Sequence, residues 1–183
     1  MTQIRLITSS TKIDKKNFKY LNYGCINLLH ENLKNKILKN HPWDNKRKYY
    51  QDTIKIEKIY LRVLREISNT LNKHHKIKKN IRYWKIVMGP WLHSFIVAYY
   101  DKNIQIDLLL KNKKKIIIPI TNTKIEDQIP NNFFIFFTKH IYASSWHDYL
   151  FSLIIKKKNL GNNFIFKRIN SSRNEKLTLK TDI

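Results

Sequence analysis

Five side chains stand where their type and setting could do chemistry: Asp44, Arg82, Trp91, His93 and His147. Arg82 opens a stretch in which no formally charged residue lies between Lys85 and Asp101. Its guanidinium fork could clamp a phosphate or carboxylate; the plainer role is to anchor a nearby acid such as Asp101. His93 would fall in the first turn of a helix begun by Gly89-Pro90, where the helix dipole disfavours an imidazolium. It could present a neutral imidazole to a ligand, or hydrogen-bond quietly in the core, and the quiet role is favoured. Trp91, like Trp84 and Trp43, could stack on a sugar ring, although aromatic side chains first contribute buried area. Asp44 precedes a long helical pattern as a base or, more simply, as its cap. His147-Asp148 could form an oriented acid–base pair, or lie solvated at a helix end.

None of these completes a catalytic set, so no catalytic residue is assigned. Metal binding is not expected. His74 and His75 are adjacent and point apart on a helix, no partnered carboxylate cluster accompanies them, and His140 lies seven residues from His147. No cofactor is expected either. The three glycines fall at 24, 89 and 161, so neither a G-x-G-x-x-G nor a Walker-type phosphate loop can be spelled. Cys25 is the single cysteine, which rules out an intrachain disulfide and suits a reducing compartment. It is better read as a small buried residue than as a nucleophile.

The elements that must position these residues follow from periodicity. Residues 3–8 alternate like a first strand, and Ile26–Leu29 suits a strand or a short helix. His41-Pro42-Trp43-Asp44 breaks the chain. A helix over about 45–73 follows, with Ile56, Tyr60, Val63, Leu64, Ile67 and Leu71 in one stripe and Lys58, Arg62, Glu66 and Lys73 opposite. Ile81–Met88 fits a strand and a helix equally. From Pro90, Leu92, Phe95, Ile96 and Tyr99 recur at helical spacing, and Ile104–Leu110 prolongs that helix or forms another. Ile116–Ile120 reads as a strand whose Pro119 argues for an edge or an end. Phe133–Phe137 suits a strand. Ser144–Lys156 is a helix with Trp146, Tyr149, Leu150 and Leu153 on one face. Residues 171–183 read as a frayed tail. At the N-terminus Ile4-Arg5-Leu6-Ile7 passes directly into polar Thr8–Lys16, which is no signal peptide, so the expected location is cytoplasmic.

The run Arg82-Tyr83-Trp84 to Gly89-Pro90-Trp91-Leu92 and on to Tyr100-Asp101-Lys102 resembles the signature of a family of transferases named from leptospiral O-antigen gene clusters. His41-Pro42-Trp43-Asp44 with Tyr49-Tyr50-Gln51-Asp52 is similar to that family's helix entry. Leu71-Asn72-Lys73-His74-His75 and Ser145-Trp146-His147-Asp148-Tyr149-Leu150 match further segments, so that the resemblance covers about residues 38–155. It implies a two-lobed glycosyltransferase of surface-polysaccharide biosynthesis, with the sugar nucleotide held mostly by the second lobe. This chain would be an α/β, mostly helical N-terminal lobe with a small parallel sheet. Residues 1–160 would form that acceptor-side lobe, and 161–183 a polar tail or the start of a missing C-terminal lobe. The implied partners are a sugar nucleotide or a glycan acceptor, and the isolated chain would be inert.

The formal charge of +23 suggests a different class, a basic nucleic-acid-binding protein whose affinity would fall steeply with salt. Arginine supplies only 7 of the 36 cations, and lysine travels with asparagine and isoleucine, as in A+T-biased coding. Base and phosphate readers favour arginine's fork, so nucleic acid is the weaker reading. A lysine-rich surface also attracts anionic lipid, and peripheral contact with the inner membrane face, or docking of a degenerate fragment to a partner, completes the alternatives.

Overall fold

The computed structural model describes residues 3–6, 18–21, 37–38, 41–111, 116–121, 125–141, 144–158 and 164–169. Its centre is a pair of long antiparallel helices, α1 (Lys46–His74) and α2 (Ile81–Leu110). Helix α1 holds neither glycine nor proline, so nothing in its interior breaks the hydrogen-bond ladder. Its cap is Asn45, whose Oδ1 accepts from Lys48 N at 3.0 Å, one residue beyond the expected Asp44. The buried side follows a four-residue rhythm, Asp52, Ile56, Tyr60, Leu64 and Ser68, with Val63, Ile67 and Leu71 packed beside it.

The turn after α1 is a Schellman closure. Lys76 takes the left-handed conformation (φ 54°). Its N–H donates to Lys73 O at 3.3 Å, and Ile77 N donates to Asn72 O at 3.0 Å. Asn72 also stitches the two helices. Its Oδ1 accepts from Lys79 N and Trp84 Nε1, and its Nδ2 donates to Lys79 O.

Helix α2 begins at Ile81, nine residues before the expected start at Gly89-Pro90. The reason is Asn80, whose Oδ1 accepts from Tyr83 N at 2.9 Å and so caps a helix that then runs through the proline. Pro90 leaves the Ile86 carbonyl without its usual helical donor. Gly89 serves a contact rather than a cap: a Cβ there would lie 2.8 Å from the Tyr60 hydroxyl of α1. The helix is also unbroken from Ile104 to Leu110.

Two further helical segments close the unit. The first, α3, spans Phe133–Ile135 and winds on into a wider i→i+5 turn over Phe136–His140, closed by Ile141 N to Phe136 O at 2.9 Å. The expected strand at Phe133–Phe137 is therefore helical, started by the Asn132 cap on Ile135 N. The second, α4 (Ser144–Lys157), buries Trp146, His147, Leu150, Phe151, Ile154 and Ile155. That face is rotated from the expected one, leaving Tyr149 and Leu153 half-buried.

Among the described residues two apolar clusters can be traced. Ile56, Tyr60, Leu64, Trp84, Leu92 and Ile96 fill the space between α1 and α2. Phe136, Trp146 and Leu150 pack against the other side of α2 through Phe95, Ala98 and Tyr99, and Trp91 touches both clusters. The expected α/β lobe is corrected by this packing. The side chains the structure describes form an all-helical unit of four helices, to which no strand contributes a described side chain. Long capped helices supply the core here because α1 and α2 each bury a continuous side against the other. Five short segments, β1 (Gln3–Leu6), β2 (Phe18–Leu21), β3 (Ile37–Leu38), β4 (Ile116–Thr121) and β5 (Phe164–Ile169), are given by backbone alone. They pair in parallel in the order β3-β2-β1-β4-β5. The expected element at Ile26–Leu29 and the tail at 171–183 lie outside the described residues.

Candidate functional site

The polar centre of the molecule lies where the last turns of α2 meet the start of α1. A short 3-10 turn, Pro42–Asp44, brings His41 there. Asp44 closes the turn by accepting from His41 N at 2.8 Å through Oδ2. His41 Nδ1 accepts from Trp43 N at 3.1 Å, which places the ring proton on Nε2. That proton points at Asp101 Oδ1, 2.7 Å away. Gln105 Nε2 donates to the same oxygen at 2.9 Å, and Lys102 Nζ donates to Oδ2 at 2.7 Å. Burial pushes the Asp101 carboxyl up. The Lys102 charge, with the hydrogen bonds from Lys102 and Gln105 and the field of His41, outweighs it and holds the group below the ordinary carboxylate range. Lys102 and Gln105 are each only 3% exposed, whereas the His41 side chain is 30% exposed. His41 is thus the member of the cluster that opens to the surface.

A second carboxylate sits beside this one. Asp52, fully buried on α1, accepts from Lys48 Nζ, Trp43 Nε1 and Tyr100 Oη at 2.7, 3.1 and 3.0 Å. Burial alone would raise Asp52, but these donors hold it below its usual value. Tyr100 responds in the opposite sense: burial and the Asp52 charge push its hydroxyl up to about 12. Trp43 and Tyr100 stack with their planes 8° apart. Two stretches roughly sixty residues apart in sequence, the histidine–proline–tryptophan turn and the tyrosine–aspartate–lysine end of α2, therefore form one structure.

The residues singled out in the sequence distribute unevenly around it. Asp44 belongs to the cluster as the residue that fixes His41. His147 lies within the field of Asp101 and Lys102, and its Nε2 meets Ile141 O at 2.7 Å. Burial, helped by the Lys102 charge, pushes its imidazole down to about 4. Among the described residues its Nδ1 and Gln105 Oε1, both buried, find no hydrogen-bond partner. Arg82, by contrast, is exposed in the first turn of α2. It is nineteen residues from Asp101, roughly 28 Å along a helix, and does not anchor that acid. His93 is half-exposed, edge-on to Tyr60 and 3.9 Å from Glu57; it lies in the middle of α2 and not in a first turn. Trp91 is packed between the two apolar clusters and stacks on Phe95.

Sequence reasoning overlooked His41, Asp52, Lys102 and Gln105. One signal was present: Asp52 falls four residues before Ile56 on the apolar stripe, and a carboxylate on a buried face requires partners. Among the described residues no group of three or more His, Cys, Asp or Glu side chains could hold a metal ion. None of the described helices is long and apolar enough to cross a membrane.

The two carboxylates, Asp52 and Asp101, thus lie with their donors at one end of the helical unit. The chain belongs to the LIC12162 family of transferases, whose sequence model it matches over residues 13–182. No curated protein and no solved structure matches it.

Proposed function

We propose that this chain supplies the acceptor-holding part of a glycosyltransferase that uses a sugar nucleotide in the assembly of a surface polysaccharide. Membership of a transferase family supports the class. The observation that carries the finer reading is the hydrogen-bonded His41–Asp101–Lys102–Gln105 cluster, largely buried and open to the surface at His41. Such a mixture of anchored donors and acceptors suits a polyhydroxylated ligand, whose hydroxyls both give and take hydrogen bonds. In glycosyl transfer an acceptor oxygen attacks the anomeric carbon, the nucleoside diphosphate departs and the acceptor proton is lost to a base. The part assigned to this cluster is to hold and orient the acceptor. His41 is not assigned as the base, because both its ring nitrogens are already engaged, one by Trp43 N–H and one by Asp101.

Titration calorimetry of the chain against a panel of oligosaccharides and sugar nucleotides tests this. The expected result is binding to a glycan, weakened roughly tenfold, or about 1.4 kcal/mol, by His41→Gln, which removes the ring that orients Asp101 at the open side of the cluster. A thermal melt confirms that the variant is folded. Glycan binding indifferent to His41→Gln, or no binding across the panel, sinks the acceptor assignment. Turnover of a sugar nucleotide by the chain alone would show that its role is not confined to the acceptor.

A further inference from the structure

The opposite end of the α1–α2 hairpin carries a surface that the polar cluster does not explain. From Ile67 to Tyr100 the sequence contains no carboxylate side chain, while Lys73, Lys76, Lys78, Lys79, Arg82 and Lys85 fall within it, all exposed. These cations crowd around the turn between the helices. Beside them the first turns of α2 turn an apolar side outward. Ile86 is 73% exposed and Val87 57%, and Tyr83 and Pro90 accompany them at helical spacing on the same side as Arg82. Lys79 Nζ lies 5.3 Å from the centre of the Tyr83 ring. Helix packing does not account for this face. The buried side of α2 at this level is Trp84, Met88 and Leu92, which meets α1.

We propose that the hairpin tip is a docking surface for an anionic lipid bilayer. Charge complementarity selects the occupant. Six cations without one acid among them match a phosphate-bearing surface, and each basic residue near such a surface adds to the attraction. The apolar side distinguishes a bilayer from a nucleic acid. Tyr83, Ile86 and Val87 would enter the boundary between headgroups and acyl chains, as the apolar face of an interfacial helix does, whereas a phosphate backbone offers no such medium. Arg82, the cation on that same face, then pairs with a lipid phosphate. This surface is independent of the acceptor reading, because it lies at the far end of the hairpin from His41 and Asp101.

Co-sedimentation of the whole chain with vesicles tests the proposal, using phosphatidylcholine alone and phosphatidylcholine mixed with phosphatidylglycerol. Binding is expected only to the anionic vesicles. The double variant Ile86→Ser/Val87→Ser should weaken it roughly tenfold by removing apolar contact, and Arg82→Gln/Lys85→Gln should weaken it roughly thirtyfold. These positions are exposed, so the folded state should survive, and circular dichroism verifies that. Ile54→Ser/Leu61→Ser, exposed on α1, should leave binding unchanged. The proposal is overturned by equal binding to both vesicle types, by no binding to either, or by anionic binding that the serine pair at 86 and 87 does not reduce. The last outcome would mean that diffuse surface charge, the kind that also retains nucleic acid, acts instead.

Discussion

The two ends of the α1–α2 hairpin are held together by different physics. Towards the turn, Leu64, Tyr60, Trp84 and Leu92 close the interface with apolar surface. At the other end the same two helices are joined through charge, with Asp52 taking Tyr100 from α2, and Asp101 taking His41 from the turn before α1. Apolar contact is non-directional and forgives a change of shape at constant volume. A buried carboxylate forgives little, because each donor aimed at it is stranded when it goes. The tolerant end carries stability, and the intolerant end carries a defined arrangement of polar atoms.

The largest effects should separate these ends. Asp101→Asn keeps the shape of the side chain but removes the buried-site carboxylate charge that faces Lys102 Nζ at 2.7 Å; a loss of roughly 3 kcal/mol is expected. Leu64→Met, an equally conservative change at a residue with no exposed surface, should lose less than about 1.5 kcal/mol. Urea denaturation measures both, and a smaller loss for Asp101→Asn than for Leu64→Met would erase the distinction.

A pH titration sharpens it further. His147 is pushed down to about 4 in the folded chain from an ordinary 6.5, so between those values the unfolded chain binds the extra proton. Its contribution is fully present above pH 6.5 and is lost as pH falls towards 4, a change of about 3 kcal/mol. Asp52 and Asp101, both lowered, act in a more acidic window. Their contribution stands above the ordinary carboxylate value and disappears as pH falls through their folded values. Stability measured at pH 4.5 and 7 should therefore differ in the native chain, and the difference should shrink in His147→Asn. An unchanged difference would assign the slope to other groups.

The smallest expected effect lies at the apolar end. Gly89→Ala should gain helix propensity of about 1 kcal/mol and lose more than that against the Tyr60 hydroxyl, for a net destabilisation of roughly 1 kcal/mol. Adding Tyr60→Phe removes the clashing oxygen, and the pair should be at least as stable as Tyr60→Phe alone. Failure of that rescue in a thermal melt would mean that the close approach of the helices is not what selects glycine.

Much of this was legible in the chain and some was misread for identifiable reasons. The stripe from Ile56 to Leu71 announced α1 because burial on one side of a helix imposes its period on the sequence. Gly89-Pro90 misled, since that pair ordinarily marks a boundary; Asn80, an equally good start signal, was passed over within a polar linker. Phe133–Phe137 looked like a strand because a run of aromatics has no period, and only the Asn132 cap and the surrounding packing made it helical. Among the candidate residues, Asp44 and His147 lie at or near the polar cluster. Their true neighbours could not be named, because His41 and Asp101 are sixty residues apart.

By itself the sequence determined where long helices could form, which side of α1 would be buried, and that a carboxylate-free, lysine-rich stretch would crowd the turn at Asn72–Asn80. Those properties depend on residues a few positions apart, and local chain geometry reads them out directly. Which polar groups meet was decided only by the folded packing of α2 against α1 and α4. An ion pair between distant residues depends on how two surfaces dock, and no local pattern encodes that register.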